Sequence, residues 1–450
     1  MKRRLDAAIL GALATGTLVA CTGEMGDASG GATSGGTPVT VGNGSGSGNG
    51  SGSGNGAGAG GATGPATGSG AATSSGDATS GAGASGGGGS GPSGSTGAGG
   101  SVDVPVAAGE WYEAPNSHME DVKHNVNGPN MWDVSCVISC WSDGGYDTKR
   151  DRLIVWGGGH GQYSGNEVYV FSMKTMSWSR LDDPSNPPGV DVPYAPDGRP
   201  TSRHSYNYLQ YLPAIDRFCT FGGAGFYWGG QTGTDNVDCF DFDTNQWDTD
   251  VSTTPSGVNG YSFSAVDAST GFAYQHGPGG SGKLARYNPV SATWTTLNGS
   301  TYIASGYTAT AAFDPKRQKM VEIGDGITVW DIDPSSNTVV ATNPQTSGDN
   351  SIEMGGAIGL DYDPVTETFI AWDGGQTIHS LNVDTMTWTT YAPSGANPGP
   401  ANGNNTYGRF RYVPSANVFV VVNESNQNVF VYRHTPDLSA PQWYLDMIAN

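Results

Sequence analysis

Leu153-Ile154-Val155-Trp156-Gly157-Gly158-Gly159 is followed, after a polar loop, by Glu167-Val168-Tyr169-Val170-Phe171-Ser172 and then by a turn into Trp178. β-Branched and aromatic residues fill both runs, glycines bound the first, and helical periodicity is lacking. The stretch therefore reads as three successive antiparallel strands. A turn, Asp147-Thr148-Lys149-Arg150, stands in front of it. Comparable turns begin at Leu212, Asp267, Asp314, Asp363 and Val413, at spacings of 65, 55, 47, 49 and 50 residues. Each leads into an apolar strand (FCTFGG, FAYQHG, MVEIGD, FIAWDGG, FVVVNE), then after a loop into another (VDCFDF, LARYN, TVWDID, TIHSLN, NVFVYR). A Trp strand closes four of the six units, at Trp178, Trp247, Trp294 and Trp388. A four-stranded unit of about 50 residues, repeated, is what a β-propeller requires. The fold class expected is therefore all-β: four-stranded blades in a ring, six by count, with a seventh left open.

The order strand, Gly-Gly, loop, strand, turn, Trp resembles the kelch repeat of kelch proteins and of the galactose oxidase propeller. The resemblance covers residues 109–450, with good Gly-Gly matches in units 1, 2 and 5 and weak ones in 3, 4 and 6. Gly109-Glu110-Trp111-Tyr112 reads as a lone outer strand that completes the last blade as a ring clasp. Residues 435–450 are the alternative occupant of that place, or the start of a seventh blade.

The first hundred residues belong to another class. Residues 22–100 hold 32 of the 72 glycines, three acids, no Lys or Arg and no aromatic. Such a composition cannot offset the entropy of ordering, so residues 21–101 are expected to be a flexible tether. Before it, Lys2, Arg3 and Arg4 precede a short apolar run from Ala7 to Ala20. The ending Leu18-Val19-Ala20-Cys21 resembles the bacterial lipobox, which implies a signal peptide over residues 1–20 and diacylglycerol on Cys21. Several acyl chains together anchor stably. Thr22 is not the Asp that favours inner-membrane retention, so the outer membrane or cell surface is the expected location.

Residues 102–450 carry the folded domain and nearly all the charge, 17 basic residues against 37 acidic. That balance disfavours a nucleic-acid binder. No apolar run reaches 18 residues, so no spanning helix is expected. Pairing of Cys219 with Cys239, in adjacent strands, and of Cys136 with Cys140 is the simplest of three possibilities and fits an oxidising compartment. CxxC pairs are absent, so no zinc site is expected; nor is any other metal or cofactor. A monomer is expected.

In a propeller, the loop between the second and third strands of each blade and the connection to the next blade emerge on one face. Sorting by that rule brings several unusual residues together. The glycine-rich loop 157–167 carries His160, Tyr163 and Asn166. Blade 2 begins Arg203-His204-Ser205-Tyr206. His276 ends a strand of blade 3, and Arg409 begins blade 6. Trp228 lies in a glycine loop of blade 2, where an exposed aromatic would suit stacking on a sugar ring. His118, His124, His379 and His434 read as ordinary structural or surface residues.

Three functions compete for this face. The His, Tyr and Arg set is similar to that of ulvan-lyase-type propeller polysaccharide lyases. That resemblance implies catalysis by His160, His204, Arg203 and Tyr206, with Tyr163, Asn166, His276, Arg409 and Trp228 binding substrate. Arginine would offset the uronate carboxylate while a His or Tyr removes the C5 proton. The second class is a non-catalytic glycan- or protein-binding adhesin. The third, a copper radical oxidase, needs two Tyr, two His and a Tyr-linked Cys; the pairing of the four cysteines speaks against it. The partner expected is an acidic or neutral polysaccharide, with the membrane reached through the lipid anchor.

Overall fold

The computed structural model describes residues 102–128, 130–159, 161–225, 232–255, 263–276, 283–299, 308–356 and 358–449. The expected signal peptide, Cys21 and the expected tether lie outside them.

Six blades of antiparallel strands form the domain. Blade 1 comprises Gly144–Asp147, Arg152–Val155, Tyr169–Ser172 and Ser177–Arg180. Blade 2 is built from Leu209–Leu212, Arg217–Gly225, Thr232–Asp241 and Gln246–Thr253. The inner strands of blades 3 to 6 are Phe263–Asp267, Thr310–Asp314, Gly359–Asp363 and Phe410–Val413. These inner strands neighbour one another in order around the axis, and the sixth returns to the first. The ring therefore has six blades and no seventh.

Closure comes from the amino-terminal side. Glu110–Glu113 pairs antiparallel with Phe430–Arg433 as the fourth strand of blade 6, in the register Glu110 to Arg433 and Trp111 to Tyr432. Trp111 is buried against Trp372 of blade 5 and Tyr432 of blade 6, and its Nε1 donates to the Gln376 carbonyl at 2.9 Å. Of the two sequence alternatives for that place, the clasp holds. Residues 442–448 are instead a short helix, Gln442–Ile448.

Two polar devices join the blades. At the turns, Arg150 reaches Asp147 of its own blade and Asp216 of the next, at 3.2 and 2.7 Å. Arg317 repeats the arrangement with Asp314 and Glu367, at 2.9 and 3.1 Å. The same Asp-x-Lys-Arg turn thus locks blade 1 to 2 and blade 4 to 5. On the axis, the inner edges of the inner strands expose N–H groups that no fifth strand can satisfy. Asp143 accepts from Leu209 of blade 2 and Gly408 of blade 6, at 2.7 and 2.6 Å. Asn207 accepts from Ala311 of blade 4 at 2.9 Å, and Asp361 accepts from Tyr412 of blade 6 at 2.8 Å. The centre is a polar plug.

Both disulfides are formed, Cys136–Cys140 and Cys219–Cys239. Cys219 and Cys239 face each other across adjacent strands of blade 2.

Candidate functional site

The glycine loop of blade 1 has a structural cause. Gly157, Gly158 and Gly159 have φ of +99°, +139° and +134°, a region L side chains rarely adopt. The amides of Gly158 and Gly159 both donate to the carbonyl oxygen of Arg203, at 3.0 and 3.2 Å. A Cβ on Gly157 would stand 2.6 Å from that same oxygen. The loop must therefore be backbone only, and it seats the first blade directly on the start of the second.

That seating delivers Gln162 to His204. With the amide oxygen of Gln162 at 3.0 Å, His204 Nε2 donates, and Nδ1 accepts from the Tyr206 hydroxyl at 3.4 Å. Trp141 packs across the imidazole with ring centroids 4.8 Å apart. Trp141, Tyr206 and Tyr407 each lie six residues before the end of an inner strand, and all three are left-handed, at φ +50°, +39° and +49°. Aromatic residues in this region store strain on the order of 1 kcal/mol or more each. The kink turns each backbone toward a neighbouring blade: the Trp141 carbonyl accepts from Tyr206, and the Tyr407 amide donates to the Ile358 carbonyl.

Trp132 stands outside this cluster and in solvent, 79% exposed. It belongs to the connection that runs from the clasp to blade 1. Two residues earlier, Asn130 donates from its amide to the Gly161 carbonyl at 3.1 Å, which places the connection against the loop that carries Gln162. Asn404, on the blade 6 side, donates to the Ser139 carbonyl at 2.7 Å. The described cluster is thus Trp141, His204, Tyr206 and Gln162, with His204 and Tyr206 buried, and Trp132 is exposed on the connection that leads to it.

Several residues expected to line one open cleft are elsewhere. Arg203 is fully buried, its guanidinium over Trp156, with Nη2 on Asp238 at 2.6 Å and Nη1 on the Gly222 carbonyl at 3.0 Å. Arg409 is also fully buried and donates to the carbonyls of Ser142, Val422 and Asn405; burial pushes its pKa down to about 10. Tyr163 is buried in a relay. His124 Nδ1 accepts from the Val126 amide, so its Nε2 donates to the Tyr163 hydroxyl at 2.6 Å, which donates to Glu167 at 2.5 Å. Burial and that carboxylate raise the Tyr163 pKa far above the phenol range. His276 is enclosed between Phe263 and Trp330, and Asn166 fastens Ser185 and the Pro200 carbonyl. Of the nine expected site residues, the structure brings His204 and Tyr206 together. Like His204 and Tyr206, which are 2% and 4% exposed, Arg203, Tyr163, Asn166, His276 and Arg409 are buried inside the fold. His160 and Trp228 lie outside the described residues.

Trp132, Trp141 and Gln162 were not singled out by sequence. The signal available was two tryptophans nine residues apart in a segment that belongs to no repeat. On the opposite face, a cavity of about 100 Å³ lies among the ends of the inner strands, lined by Gln210, Asp361, Arg411, Tyr412 and Tyr444. It has room for a few waters. Among the described residues, no group of three or more His, Cys, Asp or Glu is arranged to hold a metal ion.

No family model matches the chain, and no curated protein matches it. Among solved structures, an auxiliary nutrient binding protein from Bacteroides thetaiotaomicron VPI-5482 is similar at a TM-score of 0.41 and 12% identity, over 64% of this chain and 68% of that one. YjhT is similar at a TM-score of 0.43 and 13% identity, over 64% of this chain and 92% of that one.

Proposed function

We propose that the propeller is a cell-surface glycan-binding module, anchored through a lipid on Cys21, which holds extracellular polysaccharide on its loop-rich face without cleaving it. The observation that carries this reading is Trp132, 79% exposed on the connection that leads to Trp141 and that Asn130 fastens to the Gly161 carbonyl. A large flat apolar ring rimmed by amides and hydroxyls is the chemistry that packs on a sugar ring and hydrogen-bonds its hydroxyls. The lyase reading loses its requirements one by one. Arg203 is spent on Asp238, Arg409 on backbone carbonyls, and both nitrogens of His204 are engaged.

Retardation of the full chain in gels cast with a panel of polysaccharides tests the reading. Trp132→Ala should lose affinity about fivefold, equivalent to about 1 kcal/mol of stacking, with no unsaturated-uronate absorbance from either protein. Equal retardation of variant and wild type by every glycan refutes the site. Appearance of unsaturated product refutes the non-catalytic assignment.

A further inference from the structure

The face carries a second kind of information, its charge. Arginine is the side chain suited to a carboxylate, because its planar fork matches two oxygens. Each described arginine on the loop-rich face is already committed. Arg203 and Arg409 are buried as described. Arg180 donates to the carbonyls of Val122 and Asp182 and pairs with Asp183. Arg199 pairs with Asp182 and Asp197. Two exposed lysines, Lys123 and Lys283, remain among the described residues of that face. Opposite them stand the exposed carboxylates of Asp121, Asp191, Asp325, Asp349 and Asp373, which come from connections and loops around most of the ring. The whole chain has a formal charge of −21.

We infer that the ligand of this face is a neutral glycan and that uronic-acid polymers are excluded. The inference rests on the glycan-binding reading above and narrows it. An anionic polymer approaching this face meets its exposed carboxylates and finds, among the described residues, no uncommitted guanidinium to offset its own charge. Stacking and amide hydrogen bonds demand no charge, so a neutral chain binds by the groups that are present. Recognition of that kind is insensitive to salt, whereas exclusion of the acid is a Coulombic effect and weakens as salt rises.

Titration calorimetry on the full chain tests this with matched pairs: glucan, galactan and mannan hexaoses against the same hexaoses oxidised to uronate at C6. Measurements at about 20 mM and about 500 mM NaCl straddle the screening range. The expected result is one neutral hexaose whose Kd stays within about twofold across salt. Its uronate partner should bind at least about tenfold more weakly at low salt, with the gap narrowing at high salt. A uronate that binds as tightly as its neutral partner, or more tightly at low salt, overturns the inference and leaves glycan binding intact. The double variant Lys123→Gln, Lys283→Gln should keep its neutral affinity; a fall of tenfold or more in uronate affinity means that the lysines form an anion clamp and also overturns it. If no hexaose of either kind binds and Trp132→Ala changes nothing, the underlying reading has failed, and the inference with it.

Discussion

Asp143 ties three blades together through one carboxylate, and the cost of that arrangement is written in its pKa. Burial raises it from 3.8 to about 6, against the lowering effects of Arg411 and the amides of Leu209, Gly144 and Gly408. The folded chain therefore holds this proton more tightly than the unfolded chain does. Its contribution to stability is fully present below pH 3.8 and is lost as pH rises through about 6. Asp143→Asn cannot titrate and keeps one acceptor oxygen for the amides of Leu209, Gly144 and Gly408 and the side chain of Asn207, so it should be less stable at every pH. The gap from wild type should widen by about 1–2 kcal/mol on going from pH 7 to pH 4.5. Urea denaturation at the two pH values measures it; a gap that narrows on acidification contradicts the burial account. None of this was legible in the sequence, because Asp143 precedes a strand like many other acids and its donors lie on blades 2 and 6. The arginines show the same limit. Arg203 and a free surface arginine are spelled alike, and the difference is Asp238, brought beneath it by a strand of its own blade.

Among the elements, the glycine loop was conspicuous in sequence while its reason was not. Glycines at 157–161 let the backbone approach a ligand or a neighbouring loop closely. What approaches closely is the Arg203 carbonyl, 46 residues away in the chain. Gly157→Ala adds a Cβ 2.6 Å from that oxygen at φ +99°, so it should cost about 1–3 kcal/mol and lower the melting temperature by several degrees. It should also withdraw Gln162 from His204 and weaken glycan retention. Gly375→Ala is the control. Its φ is +64° with no atom within 4 Å of the added carbon, so it carries strain without collision and should cost less. Thermal melts of the two variants decide it; equal losses would mean that the seating on blade 2 contributes nothing. The strands around the loop were legible for the opposite reason. Each blade buries an alternating face within its own 50-residue unit, so the pattern repeats locally and does not depend on distant partners.

For the whole molecule, six turns and one lone strand pointed to six blades and a clasp, with a seventh blade and residues 435–450 left open as alternatives; the structure has the six and the clasp. Which side chains face the solvent did not follow, because exposure is set by how the connections lie over one another. Trp132 and Trp141 sit nine residues apart on one connection, yet the first is 79% exposed and the second half-buried against His204. The clasp supports the last prediction. Deletion of residues 1–113 should leave Phe430–Arg433 as an open edge and Tyr432 without Trp111, giving a species that self-associates. Size-exclusion chromatography that returns a stable monomer with wild-type melting would show that the ring closes without the clasp.

The clasp also sets an order in time. Glu113 and its partner Phe430 are 317 residues apart, and synthesis at about 5–20 residues per second separates them by roughly 15–60 s. Throughout that interval the earliest strand of the domain waits while five blades are completed behind it. A neighbouring nascent chain on the same message that has reached residue 433 offers it an identical edge. Crowded expression should therefore favour chains that exchange their first strands, and slow, dilute expression should favour chains that close on themselves.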